Sequence, residues 1–278
     1  MNGNYEDKTV IELDTYTNEE LNFFIETSYE LNTQLNFLYS SIQLLDKLVE
    51  NNEINFGDTY KKYNFLLNQN CLKMIKVLNN ITSLIEFEIG VINPNFKNYN
   101  IISIFEDTML AVLDFIKQKH IKIEFNTKGE EYIIKCDANM IERVFINLLS
   151  NAIKFLESDS HICVDISMNK IYIKIKIKYK GKEIQVENED SIFEKYKGLN
   201  KSLIEIGKGS NLGLLIVKSI IDIHKGYINI KDEIESGKII TILLPNIYIQ
   251  NEEVYVHEID NYKVKLELSD IDEFIKWL

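Results

Sequence analysis

From residue 17 to residue 89 the chain has no proline and a single glycine, Gly57, and its apolar residues return in alternating steps of three and four. Leu21, Phe24, Ser28, Leu31, Leu35, Leu38, Ile42, Leu45 and Val49 form one such run, broken only at Ser28. Tyr60, Tyr63, Leu67, Asn70, Met74, Val77, Ile81 and Leu84 form a second. A 3.5-residue period sustained this long belongs to helices with a narrow apolar seam and leaves no place for strands. Thr17 and Glu20 supply a capping box for the first helix, and the polar stretch 51–58 supplies a turn. The two helices therefore form an antiparallel hairpin. Phe23, Ile25, Leu44 and Leu48 lie beside the seam, more apolar surface than a lone hairpin can bury. A four-helix bundle made by two chains would cover it, and so would packing on the chain's own C-terminal part; the dimer is the expectation.

The pattern stops at Ile89-Gly90-Val91-Ile92-Asn93-Pro94, a helix stop followed by proline. Beyond it, helices are expected at 101–118, 139–155 and 212–224, and strands at 121–126, 161–167, 170–179, 227–234 and 238–244. Strands mixed with helices in this order predict an α+β sandwich, with helices layered on one face of a mixed sheet. After Pro245 two more strands are expected, at 254–258 and 262–268, around the turn Asp260-Asn261, with Ser269 capping a short final helix. The organisation reads as an N-terminal tail (1–16), a dimerisation hairpin (17–92), an α/β-sandwich domain (96–246) and an acidic extension (247–278). Only sixteen residues precede the hairpin, so neither a sensor domain nor a membrane anchor is expected ahead of it, and a signal would arrive through a partner or the tail.

Charge narrows the partners. Acidic groups number 43 against 31 basic ones among 278 residues, a formal balance of -12. Nucleic acid and anionic membrane surfaces both need a cationic footprint, so neither is an expected partner. Arg143 is the sole arginine, which rules out an arginine cluster for phosphate. Cys71, Cys136 and Cys163 show no metal-binding spacing, and an odd, scattered set fits a reducing cytoplasm. No apolar run reaches the roughly 18 residues that a membrane span needs.

Two segments carry chemistry. In Asp137–Phe155 the residues Asn147, Asn151 and Lys154 fall at i, i+4 and i+7, which puts two amides and an ammonium on one helix face. Amide oxygens suit magnesium and lysine suits phosphate, although the spacing alone also fits a solvated polar face. In 207–218, a Gly-Lys-Gly-Ser-Asn-Leu-Gly turn runs straight into an apolar-striped helix, whose free N–H groups form a phosphate cradle. Together the two segments point to a metal–nucleotide site.

At this point the chain resembles the two-component histidine kinases. "NLLSNAIKF" is similar to their N box and "GSNLGLLIVKSIIDIHKG" to their second glycine box. "SGKIITILLP" looks like the strand that closes their ATP-binding domain, and "SIFEKY" (191–196) like part of their ATP lid. "FFIETSYELNTQLNFL" resembles their phosphoacceptor box. The resemblance spans roughly 17–245 and implies that ATP and magnesium bind. Asn151 would hold the metal with support from Asn147, Lys154 would touch phosphate and Phe155 would line the pocket. Gly209, Ser210, Leu212 and Gly213 would wrap the phosphates. Related gyrase-type ATPases keep a glutamate base where Asn147 stands, and an amide cannot take that role.

The departures from the family pattern are as informative as the matches. Where the family's acceptor box has its phosphorylatable histidine, this chain has Tyr29, and none of His120, His161, His224 or His257 lies on the hairpin. A phenol with pKa near 10 is a poor replacement for an imidazole near 6.5. In the heptad register residue 29 points outward, as an acceptor must. In the first glycine box Gly181 survives, but Tyr179 stands for the adenine-binding aspartate and Glu183 for the second glycine. The alternation Ile171, Ile173, Ile175, Ile177, Tyr179 turns Tyr179 inward. Loss of a charged hydrogen-bond partner weakens binding by about 1.5–3 kcal/mol, roughly ten- to a hundred-fold. Glu30 and Thr33 remain from the residues that serve the family's phosphatase reaction, and they read equally as solvated helix positions. The resemblance thus implies a cytoplasmic homodimer that is a degenerate histidine kinase. It would dock, sequester or dephosphorylate a response regulator receiver domain, or pair with another histidine kinase. The rival is an active kinase that phosphorylates Tyr29, another residue or a partner in trans.

Overall fold

The computed structural model describes residues 58–88, 90–116, 121–156, 161–181, 212–233 and 237–271, with single positions between 27 and 48. Those single positions are helical, with Thr27 and Ser41 buried and Leu31 and Leu38 half-buried. The second hairpin helix, α1 (Asp58–Glu88), follows the expected seam: Tyr63, Leu67, Asn70, Met74, Val77, Ile81 and Leu84 are all buried or half-buried. It lies against α4 (Leu212–Ile223) and α5 (Asn261–Glu267) of the same chain. This helix therefore packs on the chain's own C-terminal part. Phe37 and Leu44 of the first helix and Ile75 and Leu78 of α1 are still 37–48% exposed. Among the described residues no helix is long and apolar enough to cross a membrane.

The main layer is a mixed five-stranded sheet in the order β2-β4-β5-β7-β6, built from β2 (Lys122–Thr127), β4 (His161–Met168), β5 (Tyr172–Tyr179), β6 (Tyr227–Glu233) and β7 (Gly237–Pro245). β2 pairs parallel with β4 and the other neighbours are antiparallel. Alternation gives the sheet one apolar face: Ile162, Val164 and Ile166 on β4, Ile173, Ile175 and Ile177 on β5, and Ile240, Ile242 and Leu244 on β7 are buried. α2 (Ile101–Phe115), α3 (Ala138–Phe155) and α4 supply the stripes that cover this face. Phe105 of α2 anchors the interface, with its ring 4.0 Å from Phe145 and 5.7 Å from Phe125. Tyr179 points inward as expected. Ile171 does not: it lies ahead of the strand in a turn and is 75% exposed.

A second sheet, in the order β3-β1-β8, was not expected from the sequence. β1 (Lys97–Asn100) pairs antiparallel with β3 (Ile133–Cys136) and parallel with the two-residue β8 (Val254–Tyr255). Asn98 fixes the crossing by donating to Ile249 O and Glu252 O and accepting from Ile249 N at 2.7 Å. His257 Nε2 then lies 2.6 Å from Oε2 of the fully buried Glu142, within hydrogen-bond distance. Residues after Pro245 are thus built into the body of the protein.

Within this segment the strand expected at 262–268 is the helix α5. Tyr262, Val264, Leu266 and Leu268 alternate with polar residues and imitate a strand, but Val264, Glu267, Leu268 and Ile271 also stand at i, i+3, i+4 and i+7. The structure buries that helical face. Asp260 starts the helix by accepting from Tyr262 N at 2.9 Å. The strand expected at 254–258 shrinks to two residues, and the helix expected after Ser269 lies outside the described residues.

Candidate functional site

The site is built on α3, whose start is tied at three points. Asp137 caps it by accepting from Met140 N at 3.1 Å, and its second carboxylate oxygen accepts from Asn95 N at 2.8 Å. The Asp137 N–H donates to His224 Nε2 at 3.0 Å, just past the end of α4. His224 Nδ1 lies 2.8 Å from Ile220 O, so the ring donates there and must be neutral to accept at Nε2. Burial depresses the His224 pKa, against smaller opposing effects of the Ile220 carbonyl and Asp137. α3 and α4 are therefore locked together at the end opposite the site.

At the site end, α4 begins against Asn147. Asn147 is 3% exposed and donates from Nδ2 to Arg143 O at 3.2 Å, with Oδ1 turned toward Gly213. A Cβ at position 213 would collide with that oxygen, so the close approach of helix and amide requires glycine. The N-box helix and the start of the glycine-box helix thus meet at atomic contact.

A cavity of about 220 Å³ opens beside this contact, several times what one water needs, so a polyatomic group fits. Asn147, Asn151 and Lys154 of α3 form one wall, and Leu212 and Gly213 of α4 another. Glu30 and Gln34 of the first hairpin helix, with Lys76 and Asn80 of α1, close the third side. Of the expected site residues, Glu30, Asn147, Asn151, Lys154, Leu212 and Gly213 are brought together here. The Asn151 amide and the Lys154 ammonium are the donor set that could hold magnesium and phosphate.

Phe155, Tyr179 and Gly181 form a separate cluster. Leu156 and Gly181 make a β-bridge, and a Cβ on Gly181 would meet Phe155 O and the Tyr179 ring. Tyr179 is 4% exposed, so its ring is packed into the end of the sheet. Lys154 Nζ sits 5.7 Å from the centre of the Phe155 ring and links the two clusters. Thr33 is helical and exposed. Tyr29, Glu183, Gly209, Ser210 and the 191–196 segment lie outside the described residues.

Gln34, Lys73, Lys76, Asn80 and Asp270 of the cavity wall escaped sequence reasoning. Asp270, from beyond α5, enters the cavity and pairs with Lys76 Nζ at 2.8 Å and Lys154 Nζ at 3.5 Å. Burial pushes the Asp270 carboxyl up, but Lys76, through charge and a hydrogen bond, and Lys154 together hold it below its ordinary value. Lys76 also donates to Glu267 O at 2.6 Å and pairs with the Glu267 carboxylate at 3.3 Å. Around this knot, Ser150 Oγ donates to Glu267 O and Gln69 Nε2 to Ser269 O. Arg143 reaches the hairpin instead of the cavity, donating to Ser83 Oγ and Asn80 Oδ1, both at 2.9 Å. The one signal in the sequence is that Lys76 directly precedes the seam residue Val77 on a helix otherwise expected to face another chain.

Residues 136–247 match the family described as histidine kinase-, DNA gyrase B- and HSP90-like ATPase. Histidine kinase P4 of Formosa agariphila is 26% identical over 274 residues, covering 92% of this chain and 20% of that protein. The signal transduction histidine-protein kinase ArlS of Staphylococcus aureus is 24% identical over 263 residues, covering 87% of this chain and 54% of that one. The chain thus spans from a fifth to about half the length of these relatives. Among solved structures, Acinetobacter baumannii histidine kinase AdeS aligns with a TM-score of 0.60 at 21% identity, over 78% of this chain and 97% of that one. Histidine kinase ThkA in complex with response regulator protein TrrA also aligns at 0.60, with 19% identity, over 80% of this chain and 60% of that one.

Proposed function

We propose that this chain is the core of a two-component sensor histidine kinase and acts as a degenerate member of that family; the match of residues 136–247 to the histidine kinase-, gyrase B- and HSP90-like ATPases and the likeness to histidine kinases over most of the chain support the reading. In this reading it is a cytoplasmic homodimer that docks a response regulator receiver domain, or pairs with another histidine kinase, and does not phosphorylate itself on histidine. The observation that carries the reading is Tyr29 at the acceptor position, on a hairpin without histidine. Tyr179 supports it: an aromatic ring buried where an adenine-binding carboxylate would stand both fills space and removes an acceptor. ATP with magnesium would then bind at Asn151 and Lys154 with reduced affinity. The exposed side chains of Phe37, Leu44, Ile75 and Leu78 suit a second copy of the hairpin. ThkA, which shares the fold, is known in complex with a response regulator, and a receiver domain is the partner class proposed here.

One observation favours the rival kinase reading: Glu30 and Gln34, which flank the acceptor position by one and five residues, line the same cavity as Asn151. Incubation with magnesium and γ-labelled ATP decides between them. Our reading expects no label on the wild-type chain and acid-labile label on Tyr29→His. Acid-stable label on the wild type, lost in Tyr29→Phe, would establish the kinase instead.

A further inference from the structure

We propose that Asp270 is a built-in competitor for the nucleotide site, a carboxylate that takes the phosphate's place between Lys76 and Lys154. The inference rests on the reading of this cavity as a nucleotide site and adds its regulation.

The geometry is that of an internal anion. Asp270 reaches Lys76 Nζ at 2.8 Å and Lys154 Nζ at 3.5 Å and lies in the cavity walled by Asn151 and Gly213. A phosphate oxygen between Lys76 and Lys154 would draw on the same two ammonium groups, with Lys73 a third cation on the cavity wall, and two anions cannot share that position without strong repulsion. The segment carrying the carboxylate is held from both sides. Gln69 and Lys76 of α1 grip Ser269 O and Glu267 O, and Ser150 of α3 donates to Glu267 O at 3.1 Å. Leu268 and Ile271, each 1% exposed, flank Asp270 with apolar anchors.

These contacts differ in what they join. Lys76 belongs to the hairpin and Lys154 to the nucleotide-binding domain, so one carboxylate bridges the two parts across the cavity. A nucleotide that enters must expel Asp270 and, with it, one of the ties between the hairpin and the domain. Conversely, any partner that pulls the 266–271 segment away opens the site. Ligand entry and release of this tie are then one equilibrium seen from two ends.

Calorimetric titration of magnesium with a non-hydrolysable ATP analogue tests this on the full chain, Asp270→Asn and Asp270→Asn/Asn151→Ala. A charged hydrogen-bond pair exchanged for a neutral amide predicts at least about ten-fold tighter binding by Asp270→Asn than by wild type, with the gain abolished in the double variant. Equal affinity of wild type and Asp270→Asn, lost with Asn151→Ala, would overturn the competitor and leave the nucleotide site standing. Absence of binding in all three would overturn both. Amide hydrogen exchange on the unaltered chain is the check that needs no variant. Saturating ligand should raise exchange at Ser269 and Ile271, whose N–H groups donate to Leu266 O and Leu268 O; unchanged protection would refute displacement.

Discussion

Gly213→Ala has two opposed effects that the structure separates. Position 213 is the second residue of α4, where alanine is favoured over glycine by up to about 1 kcal/mol on helix propensity alone. The new Cβ, however, would meet Asn147 Oδ1. Asn147 is 3% exposed and spends its Nδ2 on Arg143 O, so swinging the amide away breaks that bond and strands a buried polar group, at about 1–3 kcal/mol. The net expectation is a destabilisation of up to about 2 kcal/mol, together with loss of whatever ligand the cavity takes. With Asn147→Ala already in place the obstacle is gone and only the propensity effect remains. The same Gly213→Ala step should then stabilise by up to about 1 kcal/mol. A double-mutant cycle by urea denaturation measures both steps, and the sign reversal is the signature. If Gly213→Ala stabilises the wild-type background as much as the Asn147→Ala background, the packing of the two helices inferred above is wrong.

Three further expectations follow from other parts of the molecule. His224 is neutral in the native state with its pKa depressed below about 6.5, so its contribution is complete above that pH and is lost as pH falls toward the native value. Wild type should therefore lose more stability than His224→Gln between pH 7.5 and 5.5, and parallel profiles would contradict the tautomer assigned from Asp137 N and Ile220 O. Thiol labelling should rank the cysteines: exposed Cys71 first, Cys163 next, and Cys136, whose thiol burial and Asp137 push up to about 12, only on unfolding. Mass spectrometry of each peptide over time checks the order, and early modification of Cys136 would place β3 wrongly. Phe105→Ala should destabilise by about 3–5 kcal/mol in urea, because the ring is fully buried against Phe145 and Phe125; a loss below about 1 kcal/mol would mean the core closes over the gap.

Much of this architecture was legible because its segments are long and strongly periodic. The seam from Tyr63 to Leu84, the α3 stripe and the Ile173–Tyr179 alternation all lie where the periods put them. The small sheet was not legible: β1 and β3 have four residues each, and Lys97-Asn98-Tyr99-Asn100 shows no apolar period. Its stability comes from side-chain contacts of Asn98 with residues about 150 positions away. α5 was misread because a seven-residue helix gives too few turns to tell period two from 3.6, and only tertiary burial of Val264 and Leu268 decides. Within the site, Asn147, Asn151, Lys154 and Gly213 were readable as local spacings. Asp270 was not, since its partners stand 116 and 194 residues earlier and nothing local marks it.

The grip of Gln69 on Ser269 spans 200 residues, and that distance has a meaning in time. At about 5–20 residues per second, synthesis needs roughly 10–40 s to deliver residue 269 after residue 69 has left the ribosome's catalytic centre. Helices form in about a microsecond, so the hairpin is complete long before the segment that pins it exists. For that interval Phe37, Leu44, Ile75 and Leu78, along with the side later covered by α4 and α5, are open to collision with whatever is nearest. On a shared messenger the nearest surface is the same hairpin on a neighbouring nascent chain. The order of manufacture alone would therefore favour pairing of two hairpins before either is tied down to its own domain.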